Sequence, residues 1–159
     1  MKDSSIPIEL DRTDRRILQE LQADGRLANA DLAKRVHVSP ATCHRRTQRL
    51  FEAGVIDGVH ARVAPEAVGR GALVLVGVVL DRSTPESFAA FEEAAAALPV
   101  VLDCHLVAGD FDYFLKIRVR DIADFNRLHS RNLIALPGVR QTRTFFVMKE
   151  VVDGAPLEF

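Results

Sequence analysis

Arg45 and Gln48 stand three residues apart in the segment PATCHRRTQRLF, which spans residues 40–51. Residues three apart on a helix share a face, so the pair would present a guanidinium beside a carboxamide. Both groups fit base edges in the major groove. Arginine can bond bidentately to guanine and glutamine to adenine, each worth roughly 1–3 kcal/mol of discrimination. Turning the segment through about 100° per residue adds Ala41 and His44 to the same outward face. Cys43, Thr47 and Leu50 then gather inward. Ser39, Thr42 and Arg49 flank the outward face and, with Lys34 and Arg35, are expected to meet phosphates.

Local charge agrees with this reading. The chain has 159 residues and a net charge of −1, yet residues 1–62 hold eleven Lys/Arg against nine Asp/Glu. No acidic residue falls between Asp31 and Glu52, where Lys34, Arg35, Arg45, Arg46 and Arg49 all lie. A cationic patch on a near-neutral chain points to one nucleic-acid face rather than general stickiness.

Cys43-His44 and Cys104-His105 invite a metal or a Cys/His nucleophile. Helix neighbours diverge by about 100° and strand neighbours point to opposite faces, so neither pair can chelate as a pair. CxxC, HExxH and Gly-rich phosphate motifs do not occur. No catalytic residue, metal or cofactor is expected, and the protein is not read as an enzyme. Two cysteines make no disulfide framework. No apolar run reaches the ~20 residues that a bilayer span needs. The opening MKDSSIPIEL carries no signal-like apolar core, so a cytoplasmic protein with no membrane partner is expected.

The elements that would position these residues follow from caps and periodicity. Asp11 is placed to cap a first helix with Ile17, Leu18 and Leu21 inward and Gly25 as its stop. Asn29 is expected to cap a short second helix carrying Leu32, Ala33 and Val36. His37-Val38 make a tight connection. Ser39 and Pro40 supply the cap and first-turn proline of a third helix that ends near Ala53-Gly54. Val55 to Val63 would form a small strand or wing. Two short helices, a tight turn and a cationic second member make a helix-turn-helix.

From residue 72 the pattern changes. ALVLVGVVLD is apolar on both faces, as in a strand covered on two sides. Thr84-Pro85 open a helix with Phe88, Phe91, Ala95 and Leu98 on one side. A strand over 100–107 places Val100, Leu102, Cys104 and Leu106 together; one over 112–120 turns Tyr113, Leu115, Ile117 and Val119 inward. Asp121 caps a helix with Ile122, Phe125, Leu128, Leu133 and Leu136, and a last strand covers 139–151. The expected class is α+β: a three-helix (winged) helix-turn-helix domain over 1–63, a linker over 64–71, and a βαββαβ ferredoxin-like domain over 72–159. The sheet face without helices is apolar, so a second subunit is expected there.

LDRTDRRILQELQADGRLANADLAKRVHVSPATCHRRTQRLFEAGVI resembles the N-terminal domain of the Lrp/AsnC family of bacterial and archaeal regulators. HLVAGDFDYFLKIRVRD and LPGVRQTRTFFVMKEV resemble the two signature segments of that family's C-terminal RAM domain. The resemblance runs from about Leu10 to Val151. It implies a transcription regulator that binds double-stranded DNA and forms homodimers through the sheets. It further implies assembly to a tetramer or octamer, wrapping or bridging of DNA, and association with the nucleoid. It also implies a free amino-acid effector, leucine or another amino acid, held at the C-terminal domain by Leu106, Gly109, Asp110, Phe111, Asp112, Tyr113 and Phe145. Two roles are open for Asp110 and Asp112. They can stabilise a hairpin turn, or pair with the effector's ammonium while N–H groups of the glycine turn hold its carboxylate.

Overall fold

The computed structural model describes residues 8–159. The expected place of residues 1–7 in the first domain, and the reading of the opening segment, lie outside the described residues. The chain divides into two compact units. One ends at Arg62 and also takes up Val152–Phe159; the other is Val63–Val151.

In the first unit, helix α1 spans Arg12–Ala23, α2 Asn29–Val36 and α3 Pro40–Glu52. Asp11 opens α1 with a reciprocal cap. Its Oδ1 accepts from the Asp14 N–H at 2.9 Å, and Asp14 Oδ2 accepts from the Asp11 N–H at 3.2 Å, which satisfies two otherwise orphaned donors. Ile17, Leu32, Ala33, Val36, Cys43 and Leu50 form the buried core. His37 closes α2 in the left-handed region at φ 58°, and this makes the turn between α2 and α3 tight enough for a helix-turn-helix.

Two expectations need correction here. The residue before α2 is Ala28, which offers no side-chain cap. Asn29 instead donates from Nδ2 to the Pro40 carbonyl at 2.9 Å, fastening α2 to α3. Residues 55–63 form no strand or wing. The N–H groups of Val55 and Ile56 return to the Leu50 carbonyl at 2.9 and 3.1 Å, and both side chains pack on the helical core. Near the end of the chain, Leu157 and Phe159 are bonded to α1. Gln22 exchanges two hydrogen bonds with the Leu157 backbone at 2.9 and 3.1 Å, and Gln19 donates to the Phe159 carbonyl at 3.2 Å.

The second unit contains β1 (Ala72–Leu80), α4 (Pro85–Ala96), β2 (Val101–Leu106), β3 (Tyr113–Val119), α5 (Ile122–Leu128) and β4 (Val139–Phe146). A 3₁₀ turn over Pro65–Val68 occupies part of the expected linker. The sheet order is β2-β3-β1-β4, every pair being antiparallel. This is the ferredoxin-like arrangement. Val74, Val76, Val78 and Leu80 of β1 and Tyr113, Leu115, Ile117 and Val119 of β3 meet Phe91, Ala95, Phe125 and Leu133 in one core.

Strand ends and one helix depart from the periodicity. β4 stops at Phe146 rather than at 151, since β1 begins at Ala72 and the Val74–Phe146 pairing leaves almost no partner beyond. A bulge between Val101 and Asp103 turns Leu102 outward, 52% exposed, and Val101 packs on the core. Ile122 sits on the solvent side of α5, and the helix continues as a π turn over His129–Leu133.

Among the described residues of the second unit, α4 and α5 both pack on the core side and leave the opposite face without a helix. Phe111 lies against Gly77, where a Cβ would come within 2.7 Å of its ring. Phe111 meets Phe114 at 5.1 Å and Phe145 at 6.3 Å between ring centroids. Arg143 sits over the Phe111 ring at 5.7 Å.

Candidate nucleic-acid interface and effector loop

Ser39 adopts extended backbone ahead of α3, and its Oγ accepts from the Thr42 N–H at 3.2 Å. The same hydroxyl donates to Thr42 Oγ1 at 2.9 Å. With no acidic residue in the first turn of α3, that end keeps the positive pole of the helix dipole for an anion. Ala41, His44, Arg45 and Gln48 are exposed on one side. Cys43 and Leu50 are buried on the other, with Thr47 half-buried. Among the described residues, the side chains of His44, Arg45 and Gln48 make no hydrogen bond or ion pair.

The flanking cations differ in kind. Lys34 pairs with Asp31 and Arg35 with Glu20, each at 2.9 Å and exposed. Such pairs contribute little and exchange easily for phosphate. Arg49, expected on phosphate, is paired within the domain: its Nη2 donates to Asp14 Oδ2 at 2.5 Å, with 42% of the side chain exposed. Arg46 donates from Nη1 to Asp14 Oδ1 at 2.9 Å and to Asp11 Oδ2 at 2.7 Å. Asp14 is fully buried, the one charged residue so placed among the described residues. The Asp14 N–H, followed by the Arg46 guanidinium, holds the Asp11 carboxyl below the usual carboxylate range. Sequence reading missed Asp14, because a carboxylate three residues after a cap is ordinarily a solvated member of the first turn.

The seven residues expected around the effector separate between the two sides of the sheet. Leu106 pairs with Tyr113 in register. Tyr113 is buried against Phe91 at 4.5 Å and Phe88 at 6.0 Å, on the side of the helices. Its hydroxyl donates to Glu92 Oε1 at 2.8 Å, and burial followed by that bond pushes the phenol well above its ordinary pKa. Tyr113 is therefore a core residue rather than a loop contact. Phe111 and Phe145 share the uncovered side.

Between these, residues 107–112 form the loop. The Val107 N–H donates to the Asp112 carbonyl at 2.9 Å, and the Asp112 N–H to Val78 at 2.9 Å. Gly109 adopts φ 145°, open to glycine and strained for other residues. The Asp112 carboxylate accepts from the Leu80 N–H at 2.7 Å, which is the turn-stabilising role. Asp110 is exposed and unpaired among the described residues. The described residues hold no group of three or more His, Cys, Asp or Glu placed for a metal, and no described helix is long and apolar enough to cross a membrane.

Residues 10–50 match the AsnC-type helix-turn-helix domain and residues 73–157 the Lrp/AsnC ligand binding domain. The chain is 46% identical over 143 residues to the leucine-responsive regulatory proteins of Klebsiella pneumoniae and Escherichia coli K12, covering 90% of this chain and 87% of each relative. Among solved structures, a Neisseria meningitidis transcriptional regulator in complex with L-methionine superposes with a TM-score of 0.89 at 33% identity, covering 94% of this chain and 97% of that one. An AsnC family transcriptional regulator of Agrobacterium tumefaciens gives 0.88 at 35% identity, with the same coverage.

Proposed function

Because the chain belongs to the Lrp/AsnC family of transcription regulators, we propose that Ala41, His44, Arg45 and Gln48 read operator DNA and that the 107–112 loop takes the amino-acid effector. The protein is a regulator with a helix-turn-helix DNA-binding domain and an amino-acid-binding domain, and not an enzyme. The observation that carries the DNA assignment is the set of unpaired polar side chains on the outward face of α3. Ser39, Thr42, Lys34 and Arg35 then fix the helix on the phosphates.

For the effector, the exposed Asp110 carboxylate is the group offered to an α-ammonium. The Gly109 and Asp110 N–H groups, which make no hydrogen bond among the described residues, suit its carboxylate. Phe111 and Phe145 supply an apolar wall for the side chain. An apolar amino acid fits this set, leucine or methionine first. The relatives support that choice, since one is named for its response to leucine and another was solved with L-methionine. The aromatic sheet face is the surface for a homodimer, and dimers join to a tetramer or octamer. Work on DNA places the protein in the cytoplasm, on the nucleoid.

Titrating leucine, methionine and lysine into the protein on a fluorescent DNA fragment tests the sensor reading. Leucine or methionine should shift the DNA binding curve, and Asp110→Ala should reduce that response about tenfold. A response confined to lysine, or one unaffected by Asp110→Ala, contradicts it.

A further inference from the structure

We infer that Asp14 is a specificity-determining residue of the DNA reader: it quenches Arg46 and Arg49 and leaves Arg45 as the arginine of α3 free to meet DNA. The inference rests on the assignment of α3 to DNA above.

Geometry carries it. α3 bears three arginines, at positions 45, 46 and 49. A helix with all three free would be strongly attracted to any duplex, because phosphate neutralisation is independent of sequence and dominates non-specific binding. Two of the three are held by carboxylates. Both oxygens of the buried Asp14 are occupied, Oδ1 by Arg46 and Oδ2 by Arg49. Asp11 adds a second carboxylate to Arg46. The Nε groups of Arg46 and Arg49 are buried without a hydrogen-bond partner among the described residues, so the guanidiniums lie along the helix junction with their inner edges enclosed. The Arg46 side chain is 22% exposed and that of Arg49 42%.

Charge bookkeeping gives the consequence. Two aspartates and two arginines make a neutral cluster at the α1–α3 junction. A phosphate several ångströms away meets a dipole rather than two cations, and a dipole's attraction falls off faster than the Coulomb term of a free charge. The face that remains is short and polar, and its one strong cation is set among groups that read bases. Arg45 therefore contributes where hydrogen-bond geometry matters, while general attraction to the backbone stays low.

A salt titration distinguishes this from a purely structural ion pair. The slope of log affinity against log salt counts neutralised phosphates, about 0.9 per contact. Affinity for random-sequence duplex and for a duplex selected by the wild-type protein would be measured by fluorescence anisotropy from 50 to 300 mM salt, at about 25 °C. Asp14→Asn releases Arg49 while Asp11 keeps Arg46. It should steepen the slope on random DNA by about one, raise that affinity several-fold and shrink the preference for the selected site. Arg46→Gln should leave the slope unchanged, and Arg45→Gln should shrink the preference for the selected duplex with little change of slope. If Asp14→Asn unfolds below the assay temperature, the two arginine variants decide. A fall of about one with Arg46→Gln overturns the inference, as does an unchanged slope in a folded Asp14→Asn. An unchanged preference for the selected duplex with Arg45→Gln indicts the assignment of α3 instead.

Discussion

The carboxylate of Asp112 accepts a 2.7 Å hydrogen bond from the backbone N–H of Leu80, 32 residues away in the chain. It ties the loop before β3 to the end of β1, at the point where the β1–β4 register shifts. Of two aspartates with identical local credentials, one therefore serves the fold and the other is exposed.

Asp112→Ala should cost roughly 1–3 kcal/mol of stability, the range for a charge-assisted hydrogen bond to a partly buried donor. Asp110→Ala should leave the melting temperature within a degree or so of wild type, since surface changes away from special features rarely matter. Paired thermal melts without amino acid check both. Equal melting temperatures for the two variants would remove the distinction drawn between them.

Asp124 supplies a pH prediction. The Arg120 side chain and then its N–H, helped by Arg127, hold the Asp124 carboxyl well below the carboxylate range. A carboxyl depressed in the folded state stabilises it above the unfolded pKa, near 3.9, and that stabilisation is lost as pH falls through the folded value. Asp124→Asn should be less stable than wild type at pH 7, and the gap should close well below about pH 4. Urea unfolding at the two pH values measures it; a gap constant with pH would show that the ion pairs contribute nothing.

Helices and the β3 alternation were legible because each has a strong local signal. Asp11, Ser39, Thr84 and Asp121 all cap as their positions suggest, and Tyr113 to Val119 bury every second residue. What escaped depends on distant partners. Asp14 looks like any first-turn carboxylate until two arginines from α3 close over it. The β2 bulge is a pairing event with no composition signal. Leu157 and Phe159 have no periodicity, and their backbone is bonded by Gln22 and Gln19 of α1. In the candidate effector site the motif marks the loop, but the pleat sends Tyr113 to the core and Phe145 to the open face.

His37 holds a left-handed conformation at φ 58°, which costs a residue with a Cβ roughly 1–2 kcal/mol. Glycine relieves that strain but loses more entropy on folding. His37→Gly should raise the stability of the first unit by up to about 1 kcal/mol. Chemical denaturation followed by helix content tests this, and a destabilised variant would mean the imidazole makes a contact of greater worth.

The open sheet face predicts self-association. Phe114 stands between Phe111 and Phe145, and a carboxylate there would have to be buried unpaired on dimerisation. Phe114→Glu should shift the protein from dimer or larger to monomer at micromolar concentration in multi-angle light scattering, with its circular dichroism intact. An unchanged mass would assign the face to another partner.

Base reading by α3 is the central claim, and Arg45→Ala tests it most directly. Binding would be compared by anisotropy on a duplex selected by wild type from a random pool and on its scrambled counterpart. Losing a bidentate contact of roughly 1–3 kcal/mol should reduce the preference for the selected duplex by about 5-fold to 150-fold. Circular dichroism and oligomer mass should stay as in wild type. A variant that discriminates between the two duplexes as well as wild type does would contradict the assignment of this face to DNA.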